Sequence, residues 1–254
     1  MPKIIIKNNN LEDQENNFFS IKNNTIILKK SEEYVIEYIA CQKIELEIKV
    51  APNVLAKLFI ISTDNNLEVK NHYLLDKNSE LILFKFYYNY STKEVTTVDL
   101  NGTQAFFSSG FSSISRGNEE YHIIVNHNAK SVTSKIINKC IGLDKSSIIL
   151  DINSNLEKGN IDCTMDQTSR ILTLGEVNAT IIPNMFIDEN SVEAKHGSVI
   201  GGFQEDEIFY LMSRGIPYEE ARNLLIKGFI FSNLVVDMEK RAQILSIIQN
   251  IRGE

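Results

Sequence analysis

At 254 residues, 43% of them hydrophobic and 23% charged, the chain is long enough for one large soluble domain, or one domain plus an appendage. Its formal net charge of −7, with no run of Lys or Arg, argues against nucleic acid or an anionic membrane as the main partner. Met1-Pro2-Lys3-Ile4-Ile5-Ile6-Lys7 carries too short an apolar core for a signal peptide, and the Leu81 to Tyr88 stretch, broken by Lys85, is too short to span a bilayer. The three cysteines, Cys41, Cys140 and Cys163, are widely spaced and odd in number. A disulfide framework is therefore not expected, and a cytoplasmic, reducing location is.

In chain order, residues 1 to about 200 read as short strands. Thr25-Ile26-Ile27-Leu28, Tyr34-Val35-Ile36-Glu37-Tyr38, Ile44 to Val50 and Leu58-Phe59-Ile60-Ile61 are the clearest. In the third of these, Ile44, Leu46, Ile48 and Val50 alternate with Glu45, Glu47 and Lys49, the period of a half-buried strand. Polar clusters separate the runs: Asn8-Asn9-Asn10, Asp64-Asn65-Asn66, Asp76-Lys77-Asn78-Ser79 and Asp188-Glu189-Asn190-Ser191. Asn and Asp suit tight corners because they tolerate positive φ and bond to their own backbone. Many strands with short polar corners fit either a sandwich or a coil of stacked strands. Asn101-Gly102 apart, the corners lack the hairpin dipeptides of an antiparallel meander, which favours the coil.

Beyond Gly201-Gly202 the period becomes helical. Ile208, Leu211 and Met212 form one stripe; Ala221, Leu224 and Leu225 a second; Ile244, Ile247, Ile248 and Ile251 a third. Gly215 and Gly228 read as helix stops, Pro217 as a helix start, and Glu219 and Glu220 as first-turn acids that suit the helix dipole. The division expected is a β domain over 1–202 and a helical domain over 203–254.

Motifs for independent catalysis are missing. No Gly-x-x-x-x-Gly-Lys-Ser/Thr loop is present, and Ser109-Gly110-Phe111-Ser112-Ser113 lacks the lysine that would hold phosphates. The Gly-x-Ser-x-Gly nucleophile elbow is absent too. His122 and His127, five apart, face opposite sides of any one strand and are read as structural. Three scattered cysteines cannot furnish a four-ligand iron–sulfur site alone.

A set of landmarks in fixed order carries a resemblance. They are His122-Ile123-Ile124-Val125-Asn126-His127-Asn128-Ala129; Asp166-Gln167-Thr168-Ser169-Arg170-Ile171-Leu172-Thr173-Leu174; Asn178-Ala179-Thr180-Ile181-Ile182-Pro183; Ala194-Lys195-His196-Gly197-Ser198-Val199-Ile200-Gly201; and the block Phe209-Tyr210-Leu211, Arg214-Gly215, Gly228-Phe229. From roughly 122 to 229 the chain resembles the SufB/SufD core of the SUF iron–sulfur cluster assembly system. The resemblance implies a mainly β fold, a right-handed parallel β-helix with a C-terminal α-helical domain. It also implies helices that dock a SufC-type ABC ATPase, through Phe209, Tyr210, Leu211, Arg214, Leu224, Leu225, Ile226 and Phe229. Family members pair through the β-helix, here with a SufB-type subunit or a second copy.

Residue by residue the resemblance is closer to SufD. SufB-type chains usually carry Cys where this one has Thr168 and His-Glu where it has His196-Gly197. The soft ligand and the base that cluster building would use are thus both missing. SufD-type chains often place Cys at the position of Ala194, so this chain departs from that pattern as well. His196 is the candidate interface contact to cluster or metal, and Cys163, four residues before Gln167, is a weaker one. The expectation is a non-enzymatic scaffold with no tightly bound cofactor and at most a transient cluster shared with its partner. Two alternatives are a SufB-like cluster scaffold acting as a homodimer, and a β-helix polysaccharide-active enzyme using Asp151, Asp162 or Asp166.

Overall fold

A computed structural model describes residues 1–63 and 66–250. The corner expected at Asp64-Asn65 and the stripe residue Ile251 lie outside the described residues.

Among the described residues seventeen strands come first and three helices last. The strands are β1 (Lys3–Lys7), β2 (Gln14–Glu15), β3 (Phe19–Lys22), β4 (Thr25–Leu28), β5 (Glu33–Ile39), β6 (Lys43–Val50), β7 (Leu55–Ser62), β8 (Asn66–Leu75) and β9 (Glu80–Tyr87). They continue as β10 (Ser91–Leu100), β11 (Phe106–Ser115), β12 (Asn118–His127), β13 (Thr133–Leu143), β14 (Ser147–Leu156), β15 (Cys163–Leu174), β16 (Asn178–Ile187) and β17 (Val192–Gly201). The helices are α1 (Glu205–Ser213), α2 (Tyr218–Phe231) and α3 (Met238–Asn250).

From β4 onward, successive strands alternate between two sheets, so each coil contributes one strand to each. Sheet I runs β1-β5-β7-β9-β11-β13-β15-β17 and sheet II runs β16-β14-β12-β10-β8-β6-β4-β3-β2. Among the described residues all pairings between strands are parallel except the β2-β3-β4 ribbon at the N-terminal end of sheet II. This is the coil of stacked strands, a parallel β-solenoid of about six turns.

Alternation sets the core. In β6, Ile44, Leu46, Ile48 and Val50 are buried while their neighbours are exposed or half-buried. Parallel pairing without slippage stacks these inward residues into columns, such as Ile48, Tyr73, Val98 and Val125 across β6, β8, β10 and β12. The corners use left-handed backbone at Asn8, Asn9, Asn23, Asn24, Asn53 and Asn78, and stacked asparagines bond one another, as Asn78 to Asn53 at 2.9 Å. Asn101-Gly102 makes no hairpin: a Cβ on Gly102 would lie 2.0 Å from the Lys77 nitrogen in the coil beneath, so only glycine lets those corners stack.

The C-terminal parts of the middle strands of sheet I are buried on both faces, which is why Leu58-Phe59-Ile60-Ile61 is a continuous apolar run. Its outer residues Phe59, Ile61, Phe86, Ile114, Ile141, Leu143 and Leu172 form a second core with Ile226, Phe229, Ile230, Leu234, Ile244 and Ile248 of the helical segment. The segment therefore shares its core with the solenoid. In α2 the buried stripe is Ala221, Ile226, Phe229 and Ile230, not the expected Ala221, Leu224 and Leu225; Leu224 is 43% exposed. Gly228 does not stop the helix, which continues to Phe231, whereas Gly215 does follow α1 with φ +83°.

Candidate functional site

The family landmarks converge on the last coil. β15 and β17 pair so that Gln167 faces His196, Thr168 faces Gly197 and Met165 faces Ala194. The stretches around Gln167 and His196, 29 residues apart in sequence, thus form adjacent rungs of one sheet. Gln167 is anchored inside the solenoid, donating from Nε2 to Ser154 Oγ at 2.7 Å and to the Asn184 carbonyl at 3.3 Å, with its Oε1 unpartnered. His196 and Thr168 are exposed, and Lys195 pairs with Asp166 at 3.3 Å.

Among the described residues no coil stacks beyond β16 and β17, so both are free edges. Val199 is 55% exposed, Ile200 47%, Phe186 59% and Ile182 41%, a set of apolar side chains on an unpaired strand edge. Such an edge presents open backbone hydrogen-bonding groups and is a pairing template.

α1 sits beside this end. None of its residues is buried, and Phe209 is 73% exposed, Tyr210 58% and Met212 46%. A cleft of about 690 Å³ separates α1 and the start of α2 from the Thr173-Leu174-Gly175 corner, lined also by Phe203, Ile208 and Arg222. Arg214 lies over the Tyr210 ring at 5.4 Å and holds that aromatic on the outer face. Leu211 and Leu225 are half-buried and Leu224 faces out. Ile226 (3% exposed) and Phe229 (8%) face sheet I. They belong to the intramolecular core, so the expectation that they front a partner is corrected.

The Phe229 ring is held from below by Lys139 Nζ at 5.3 Å and Arg170 Cζ at 5.5 Å, register partners on β13 and β15. α2 has no basic residue in its last turn, and these two cations from sheet I complement its C-terminal dipole instead. Burial, followed by Arg170, pulls the Lys139 amine below its usual range.

The thiols do not form a ligand set. Cys41, Cys140 and Cys163 are free and buried in different coils. Cys163 faces the interior, with its Sγ 3.4 Å from the Ala129 carbonyl and 3.2 Å from that of Asn160. Burial raises its pKa, and it lies four residues along β15 from the rung of His196, about 13 Å. Among the described residues no group of three His, Cys, Asp or Glu could hold a metal ion. The described residues thus bring together no preformed ligand set for a resident cluster. The acids of the glycosidase alternative also stay apart. Asp151 lies on the outer face of sheet II beside His122, Asp166 on the outer face of sheet I, and Asp162 in a corner bonded to Ser191.

His122 lies between Glu120 at 2.7 Å and Asp151 at 3.1 Å, which raise its pKa. His127 points inward to Ser134 and the Asn155 carbonyl, and burial lowers it to about 4. One feature escaped sequence reasoning: Asn233, in the α2–α3 connection, donates to the Phe111 and Ile137 carbonyls and accepts from Ser112 Oγ. Its partners lie roughly a hundred residues away and no local pattern points to them.

A parallel solenoid with a helical segment along one sheet and an open final coil places the chain among parallel β-solenoid proteins. The family model for the SUF system FeS cluster assembly SufBD core domain matches residues 13–229, and the chain belongs to that family. It is 32% identical over 135 residues to the iron-sulfur cluster assembly protein SufD of Bacillus subtilis, covering 52% of this chain and 31% of that protein. It is 41% identical over 81 residues to a SufBD family protein of Mycobacterium leprae (30% and 20% covered) and 30% identical over 96 to one of Pyrococcus horikoshii (36% and 20%). The matched stretches span less than a third of these relatives' length. No helix among the described residues is long and apolar enough to cross a membrane.

Proposed function

We propose that the chain is a SufD-like scaffold subunit of the SUF assembly machinery, binding a SufC-type ABC ATPase through its helices and pairing through its last coil. The observation that carries the docking half is the unburied aromatic face of α1, Phe209 and Tyr210, beside the 690 Å³ cleft. A nine-residue helix that fully buries none of its apolar side chains, with Ile208 and Leu211 only half-buried, gains little from its own fold; a partner's groove is the natural place for its exposed aromatic face. Leu211, Arg214, Leu224 and Leu225 extend the surface, while Ile226 and Phe229 fix α2 to sheet I behind it.

The pairing half rests on the β16 and β17 edges with Ile182, Phe186, Val199 and Ile200. An added strand from a SufB-type subunit would satisfy the open backbone and cover those side chains. Thr168 and Gly197 face each other on this surface, a hydroxyl and a bare backbone where a cluster builder would want thiolate and carboxylate. That favours the non-catalytic role, with the thiolate ligands coming from the partner and His196 as this chain's contribution. An iron–sulfur cluster would then be cargo at the interface, and nucleotide hydrolysis the ATPase's. We place the assembly in the cytoplasm.

Co-expression with the ATPase and the SufB-type subunit of the same cell, followed by size-exclusion chromatography with light scattering, tests this. One complex containing all three chains is expected. A homodimer that ignores both would overturn the SufD-like reading and leave only the β-helix fold standing.

A further inference from the structure

The solenoid interior holds more charge than an apolar core requires. Lys85 is 2% exposed, Glu94 1% and Glu119 2%, and among the described residues no other Lys, Arg, Asp or Glu is buried to this degree. They come from β9, β10 and β12, each at an inward position of its strand. Lys85 bonds Glu94 Oε1, an oxygen that also accepts from Thr96 Oγ1. Glu119 is left outside that pair: Ser113 Oγ donates to its Oε2 at 2.9 Å, and its Oε1 has no partner.

Every element around Glu119 can be checked for a compensating charge. β9 offers Lys85, already committed to Glu94, and Tyr87; β10 offers Glu94 and, in register with Glu119, Thr92. β11 offers Ser113, β12 Tyr121, β13 Cys140, and β14 the register partner Ile148. Two acids thus share one base. A carboxylate in a low-dielectric interior without a cation or a full set of donors is strongly disfavoured, and the usual resolution is to keep its proton.

We propose that the Lys85, Glu94 and Glu119 cluster binds one proton, held on the Glu119 carboxyl inside the solenoid, and that its release is a built-in pH switch of scaffold stability. The environment agrees with the geometry. Burial raises Glu119 to about 7, partly opposed by Ser113. Burial also raises the Tyr87 and Tyr121 hydroxyls and takes the Cys140 thiol to about 12, so these neighbours stay neutral and supply no compensating charge. An acid whose folded pKa is raised holds its stabilising contribution in full below the unfolded value of about 4.3. That contribution falls as pH rises toward the folded value and is flat above it.

Two measurements on the full chain test the proposal. The first is denaturant unfolding of the wild type and Glu119→Gln across pH 5 to 8. The ratio of wild-type to variant unfolding constants should rise about tenfold per pH unit, level off near neutrality, and reach roughly a hundredfold at pH 8. The second is the infrared carbonyl band of a protonated carboxylic acid at pH 6, expected in the wild type, fading as pH rises through neutrality and absent in Glu119→Gln. Parallel stability profiles, a band that survives in Glu119→Gln, or a wild type with no such band at pH 6 would each overturn it.

Discussion

Gly110 shows how a single residue ties the two parts of the molecule together. A Cβ there would meet the Asn233 carbonyl oxygen at 2.4 Å, because the α2–α3 connection lies directly on β11. Gly110→Ala should lower stability by about 2 kcal/mol, and Asn233→Leu by at least as much, since it orphans two buried carbonyls and Ser112; urea unfolding midpoints measure both. His127 carries a prediction of opposite sign to that for Glu119. Its folded pKa is depressed, so its contribution is complete above the unfolded value of about 6.5 and is lost as pH falls toward 4. His127→Gln should remove up to about 3 kcal/mol of that acid-side loss, read as a flatter stability profile between pH 4 and 6.5. In the wild type the two slopes partly cancel over this range, so only wild-type-to-variant differences resolve them. At this scale the sequence could name His196 and Gln167 but not Asn233 or Glu119. Their environments are built by residues on other coils, and no spacing rule reports those.

Among elements, β6 was the most legible, because its alternation is a local property and one face is always inside. α2 was the least. Leu224, Leu225, Ile226, Phe229 and Ile230 offer two overlapping stripes, and only contact with sheet I decides which is buried. The Gly228 stop failed for the same reason: tertiary packing of Phe229 and Ile230 outweighs the helix cost of one glycine, about 1 kcal/mol. The two faces should now separate experimentally. Ile226→Ala should cost about 2–4 kcal/mol in stability through the cavity it leaves between α2 and sheet I. Phe209→Ala with Tyr210→Ala should stay within about 0.5 kcal/mol of the wild type, because both rings are exposed; thermal melts of the two variants check the contrast.

For the whole molecule, the period-two pattern specified strands without specifying how they pair. Sandwich and coil share it; the scarcity of hairpin dipeptides leaned toward the coil, and the family landmarks reinforced that choice. What those landmarks could not supply is that the helices lie along sheet I, so that the exposed face of α1 and the last coil sit at one end of a continuous structure. Motion imposed on α1 by an ATPase would reach β17 through the short 202–204 link and the shared core of Ile226 and Leu172. Val199→Lys, on the exposed β17 edge, should abolish pairing with a SufB-type subunit while leaving the melting temperature of the isolated chain unchanged within a few degrees; analytical ultracentrifugation of the mixture measures it.

The most direct test of the scaffold reading is the affinity of the full chain for the SufC-type ATPase, measured by isothermal titration calorimetry with wild type and the Phe209→Ala, Tyr210→Ala double variant. One ATPase protomer bound per chain, with the variant at least about tenfold weaker, is the predicted result. No binding by the wild type, or equal affinity for both, would contradict it.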